Sequence, residues 1–156
     1  MQNDNLKSYL HLHVIVFIWG FTAILGKLIS LEALDLVWYR MLFASVIMTF
    51  VVLFNKEKIK VPFNVLVGFI VSGIIIAAHW LTFYQAIKVS NVSITLACLS
   101  TGAFFASILE PIFYKRRVIW YELLFGIIVV VGLGIIFNVE TKYTTGIYLA
   151  VTSAFF

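Results

Sequence analysis

Apolar residues in this chain come in five runs of about 20 residues, parted by short polar links, and none of them alternates with the two-residue period of a membrane strand. Each run can cross a hydrocarbon core about 30 Å thick as a helix, which satisfies its own backbone hydrogen bonds without water. The pattern predicts helices over 10–29, 36–54, 63–87, 92–114 and 120–137, with Pro62 suited to open the third because its missing N–H costs nothing there. A sixth apolar stretch starts at Gly146 and covers 11 residues, about half a span. The expected organisation is a polar tail (1–9), a five-helix bundle (10–138), and a link with the start of a sixth helix (139–156). The first run is longer than a signal-peptide core and lacks a small-residue cleavage site, so it reads as a retained helix.

Composition sharpens this into a fold class. With 63% hydrophobic and 12% charged residues the chain lies outside the soluble range, so it reads as an all-α integral membrane protein, a five-helix transmembrane bundle. The net charge of +4 does not imply a nucleic-acid partner, because the basic residues gather in particular links. Lys7, Lys56, Lys58, Lys60, Lys115, Arg116 and Arg117 fall on one side of the expected topology, against Lys27, Lys88 and Lys142 on the other. By the positive-inside rule the N-terminus is cytoplasmic, in a multi-pass protein of the inner (plasma) membrane. Trp38-Tyr39 and Trp120-Tyr121 suit interfacial anchors at opposite faces. Cys98 is the single cysteine, which excludes an intrachain disulfide and suits small-residue packing.

Polar residues inside the runs are the candidate chemistry, since each costs free energy in lipid unless answered. In the first run Gly20 and Ala23 suit close helix packing, whereas Trp19 suits a cavity wall with its indole N–H toward a solute; Lys27 suits snorkelling to the interface. Arg40, one turn into the second run, either snorkels beside Asp35 or Glu32 or stands as a fixed cation at the outer mouth, drawing an anionic group. The third run carries His79-Trp80 and Tyr84-Gln85, with Trp80 and Tyr84 on one face; His79 is either a hydrogen-bonding or proton-carrying group or a satisfied buried histidine.

In the fourth run Ser93, Ser100 and Ser107 recur every seven residues and form a slowly drifting stripe, either a solute path or hydroxyls bonded back to their own helix. Glu110 follows one turn later, with an ion pair to the Lys115-Arg116-Arg117 cluster as the simpler reading and an inner-mouth site as the sharper one. Pro111 cannot bond the Ser107 carbonyl and is expected to kink the helix there. Gly126, Gly132 and Gly134 make the fifth run a packing helix. No nucleophile has a base at workable spacing, so no catalytic role or cofactor is expected. His11 and His13 lie two apart and cannot share a helical face as metal ligands.

Trp19-Gly20, Arg40 followed by Ala44, Tyr84-Gln85-Ala86 before the 88–91 link, and the five-helix spacing together resemble the N-terminal half of an EamA-type transporter of the drug/metabolite transporter superfamily. The resemblance covers nearly the whole chain. It implies one half of a ten-helix permease built from two inverted five-helix repeats, moving amino acids, other metabolites or drugs. It also implies that the first, third and fourth helices line a central cavity while the fifth lies outside. Many members carry a mid-helix proline and a Gly-Glu in the fourth helix; here the matching stretches read Thr101-Gly102-Ala103-Phe104 and Lys115-Arg116-Arg117, so the resemblance does not carry a substrate class.

The expectation is therefore a permease segment moving a small metabolite by alternating access. Trp19, His79, Tyr84, Ser100 and Glu110 would face the cavity, Arg40 would stand at its outer mouth, and a missing C-terminal repeat or a second copy would complete it. A half-size dimerising transporter and a non-transporting assembly or sensory subunit are the alternatives.

Overall fold

The computed structural model describes residues 2–56, 60–139 and 141–156, so Lys58 of the basic group lies outside the described residues. The described residues form seven α-helices, one 3-10 turn and no strand. Helices α1 (Gln2–Leu28), α2 (Ala33–Phe54) and α3 (Phe63–Val89) occupy the first three runs. The fourth run holds α4 (Val92–Leu99) and α5 (Gly102–Tyr114), and the fifth holds α6 (Trp120–Val139). A 3-10 turn (Thr141–Tyr143) leads into α7 (Thr144–Phe155). By length and composition five segments can cross a membrane, with α4 and α5 counted together. Helix α1 begins at Gln2, within the expected polar tail, since nothing between residues 2 and 10 stops a helix.

The fourth run is interrupted at a place the sequence reading did not mark. Pro111 lies inside α5, which continues to Tyr114, and the interruption falls earlier, at Ser100-Thr101. Three features tighten the chain there. The Ser100 hydroxyl donates to the Ala97 carbonyl (2.6 Å) and the Thr101 hydroxyl to the Cys98 carbonyl (2.7 Å). The backbone N–H groups of Thr101 and Ala103 bond three residues back, to Cys98 and Ser100. Hydroxyls that take carbonyls from the helix ladder, followed by Gly102, favour a 3-10 turn over continued α-helix. Asn91 opens α4 as its N-cap, accepting the Ile94 N–H at 2.9 Å. Lys115 ends α5 in the left-handed conformation (φ 52°) and turns the chain back toward it.

Helix α3 is the central element, touching α1, α2, α4 and α7, while α5 pairs with α6. Two buried clusters result. One joins Ala23 of α1, Ala33, Leu36 and Val37 of the α2 start, and Phe83, Tyr84 and Ile87 of α3. The other joins Ala86 of α3, Ile94 and Cys98 of α4, and Ile147 and Ala150 of α7. The α3–α7 seam uses small residues, as expected where lipid removes the hydrophobic drive between helices. At Gly146 a Cβ would stand 2.5 Å from the Ser90 Cβ, so the helices meet there through glycine. Gly126 likewise lies against the Phe104 backbone, whereas Gly132 and Gly134 have nothing within 4 Å, so only one of the three α6 glycines packs within this chain.

The C-terminal ends of α1 and α3 are tied by their lysines. Lys27 Nζ donates to the Ile87 (3.1 Å) and Ser90 (3.3 Å) carbonyls, and Lys88 Nζ donates to the Ile29 carbonyl. Lys27 was expected only to snorkel; instead it caps the neighbouring helix, where free carbonyls and the helix dipole favour a cation. Large apolar side chains such as Phe17, Phe50, Phe69 and Ile128 stay exposed on the outer faces, as a lipid solvent requires.

Gly146→Val should force α7 off α3 and cost about 1–3 kcal/mol through overpacking, read as a lowered Tm in detergent; Gly132→Ala, with open space around it, should leave the Tm unchanged.

Candidate functional site

The site is built on one turn and a half of α3. His79, Trp80, Phe83 and Tyr84 follow the i, i+1, i+4, i+5 pattern, which lays two ring pairs side by side on one helix face. His79 stacks on Phe83 (6.2 Å between centroids, 7° between planes) and Trp80 on Tyr84 (5.7 Å, 22°). The pairs meet edge to face, Trp80 against Phe83 at 5.7 Å and Phe83 against Tyr84 at 5.3 Å. This is the arrangement that ring quadrupoles favour.

Each edge of this panel is held by another helix. The Ser153 hydroxyl of α7 donates to the His79 carbonyl (2.9 Å), and His79 Nδ1 lies 2.7 Å from the Ser153 carbonyl. A carbonyl can only accept, so Nδ1 carries a proton in that contact, and Nε2 has no partner among the described residues. On the other edge the Arg40 guanidinium of α2 lies over Trp80 (4.3 Å to the centroid) and Tyr84 (5.3 Å). Beneath, Tyr84 fills the space left by Gly26 of α1, where any Cβ would collide with the ring. Tyr84 is therefore a buried support.

A pocket of about 280 Å³ lies against the panel. Helix α1 contributes Trp19, Gly20, Thr22 and Ala23, α3 contributes His79, Trp80 and Phe83, and α4 contributes Leu96 and Leu99. These are the three helices that the resemblance assigns to the cavity. Among the described residues Gly20 has nothing within 4 Å, so it leaves the pocket open, whereas Ala23 is buried in the core. Trp19 is 70% exposed at the rim. A smaller pocket of about 100 Å³ adjoins on the α2 side, lined by Val37, Arg40, Met41, Ala44, Trp80 and Tyr84. Trp80 belongs to both.

Arg40 does not pair with Glu32 or Asp35, and no described residue accepts a hydrogen bond from it. Asp35, five residues earlier, points to another side of the helix. A mid-helix arginine costs about 2.5–3.5 kcal/mol on insertion scales, and a cation–π contact at an exposed side chain such as Arg40 returns about 0.5–1 kcal/mol. The rings answer part of its cost and none of its charge.

The other expected site residues lie elsewhere. Ser100 is exposed at the α4–α5 break, Ser93 is exposed, and Ser107 is buried with its hydroxyl on the Phe104 carbonyl (2.7 Å), so the seven-residue stripe does not run as one surface. Glu110 bonds Arg116 at 2.7 Å, and Arg116 also reaches Glu122 at 3.1 Å. This triad lines a separate pocket of about 480 Å³ between α5 and α6, with Ala106, Ser107 and Gly126. Glu122 and the Arg40–Trp80 contact were not foreseen. An acid in the first turn of an apolar helix, six residues after Arg116 across a tight link, was the available signal for the first. The second joins residues 40 apart and leaves no local trace. Among the described residues no three His, Cys, Asp or Glu side chains gather as metal ligands would.

Because Arg116 serves two carboxylates that are partly exposed, Glu110→Gln should cost less than about 1 kcal/mol, whereas Arg116→Gln, which leaves Glu110 and Glu122 facing each other, should cost more. Denaturation midpoints of both variants in the same detergent check this order.

Compared with known proteins, residues 6–138 match the EamA-like transporter family. No curated protein and no solved structure matches the chain. The match covers all five membrane-crossing segments, so the chain is a multi-pass membrane protein of a class that moves small solutes across the lipid bilayer and is not enzymatic in general. With its α1, α3 and α4 gathered round one aromatic pocket, this chain belongs to the EamA-like transporter family.

Proposed function

We propose that this protein forms one side of the cavity of an alternating-access transporter for a small metabolite in the cell's inner membrane, and that the pocket beside the α3 panel is part of the solute path. The observation that carries the reading is the lining of that pocket by α1, α3 and α4 with Trp19 at its rim and His79 at its back. Aromatic walls with a few polar groups are the usual lining of a small-molecule site. Trp19 and His79 are the contact residues in this reading, Tyr84 supports Trp80 from behind, and Ser100 lies at the break of the fourth span. Glu110 belongs to an inner mouth, closed by its bond to Arg116.

The opposite side of the cavity comes from a second five-helix unit, either a further repeat or a second copy of this chain. Five crossings reverse the side of entry, so a helix continuing from α7 starts a unit inverted with respect to α1, which is the general plan of inverted-repeat transporters. The N-terminus is cytoplasmic in this reading, because Lys7, Lys115, Arg116 and Arg117 share one end of the bundle while Lys27 and Lys88 share the other.

Reconstituted into liposomes, the protein should move labelled small metabolites in a saturable way. Trp19→Ala should lower the flux about tenfold, the effect of losing one large contact in a pocket, while Val131→Ala on the exposed face of α6 should not change it. Equal flux in Trp19→Ala would remove this pocket from the path, and no flux of any solute would sink the transport reading itself.

A further inference from the structure

We infer that the groove between α2 and α3 is a recognition site for a carboxylate, so that the solute is an organic monoanion with an apolar, ring-sized body. The inference rests on the solute path proposed above and names the class of molecule that travels it. Arg40 stands at the eighth position of α2, roughly 10 Å along the helix from Ala33. A guanidinium at that depth holds its charge at any physiological pH. Its contacts are two ring faces, at 4.3 and 5.3 Å, and both are neutral. Held over the rings, the planar fork keeps donors free at its edge, and that edge matches a carboxylate in two parallel hydrogen bonds.

The neighbouring space fits the rest of such a molecule. Trp80 lines both the small pocket at Arg40 and the larger apolar one reached by Trp19, Phe83 and Leu99. In the inferred pose the carboxylate sits at Arg40 and its attached group in the larger pocket, with Trp80 as the wall common to both. About 150 Å³ is enough for a benzene-sized guest, and the larger pocket offers about 280 Å³. None of the residues lining either pocket is Asp or Glu, so this part of the cavity has a charged partner for an anion and no carboxylate to pair with an ammonium group. A lipid phosphate shares the oxyanion chemistry, but its acyl chains have no need of a ring-sized pocket.

The test uses the full chain in phosphatidylcholine nanodiscs and radiolabelled benzoate, competed by benzylamine and benzyl alcohol. Benzoate should bind saturably and at least tenfold more tightly than either competitor. Arg40→Gln should weaken it at least tenfold and Arg40→Lys by less, since the point charge remains without the fork. Should Arg40→Gln fail to fold, Ala44→Leu keeps the arginine and fills the small pocket, and it should weaken benzoate to a similar degree. Benzylamine or benzyl alcohol competing as well as benzoate, or benzoate binding untouched by these substitutions, would overturn the inference. So would loss of benzoate binding when phosphatidylglycerol is added, since a lipid phosphate would then hold the fork. Arg40-dependent benzoate binding without flux of any solute would sink the transport reading alone; flux with no preference for anions would sink this inference alone.

Discussion

The four-ring panel on α3 is the constraint on which the rest of the bundle depends. In lipid, apolar side chains gain little by meeting one another, so helices are held by close packing and by the polar contacts that lipid cannot replace. His79, Trp80, Phe83 and Tyr84 supply both kinds. The His79 edge fixes α7 through three contacts with Ser153, the Trp80–Tyr84 edge fixes α2 through Arg40, and the Tyr84 ring fits α1 only because residue 26 is glycine. One stretch of six residues thus sets the positions of three other helices, and the pocket is the space left beside it.

Backbone chemistry accounts for the second level of organisation. A membrane span has no water to satisfy a freed carbonyl, so each departure from regular helix here comes with its own donor. Ser100 and Thr101 turn their hydroxyls onto the carbonyls released where α4 gives way to α5, and Lys27 and Lys88 serve carbonyls at the ends of α3 and α1. The break at Ser100-Thr101 also lets α4 lean on α3 and α7 while α5 leaves with α6. A straight helix over that span would have to choose one set of neighbours.

The helices themselves were legible because length and apolarity fix membrane spans with little help from tertiary contacts, and the family was legible from Trp19-Gly20, Arg40 and Tyr84-Gln85-Ala86. What escaped was pairing at a distance. Nothing local ties Ser153 to His79 across 74 residues, or Arg40 to Trp80 across 40. Pro111 drew attention as the expected kink; α5 continues through it, and the interruption of the fourth run coincides instead with two hydroxyls and a glycine at 100–102. Glu110 was noticed for its charge, and its partner Arg116 was within the expected cluster; the second acid, Glu122, was passed over because it opens the helix whose interior is purely apolar.

The two arginines show how differently one group can be used within a single bundle. Arg116 lies between two carboxylates, so its charge is spent inside the protein, and at 31% side-chain exposure it behaves as an interfacial clamp. Arg40 is held with comparable definition by rings that carry no charge to cancel its own. A carboxylate partner would have held it as well and neutralised it. Aromatic faces hold it for about 0.5–1 kcal/mol and leave the positive charge beside the small pocket that Trp80 lines. That free charge is the basis of the carboxylate site inferred above.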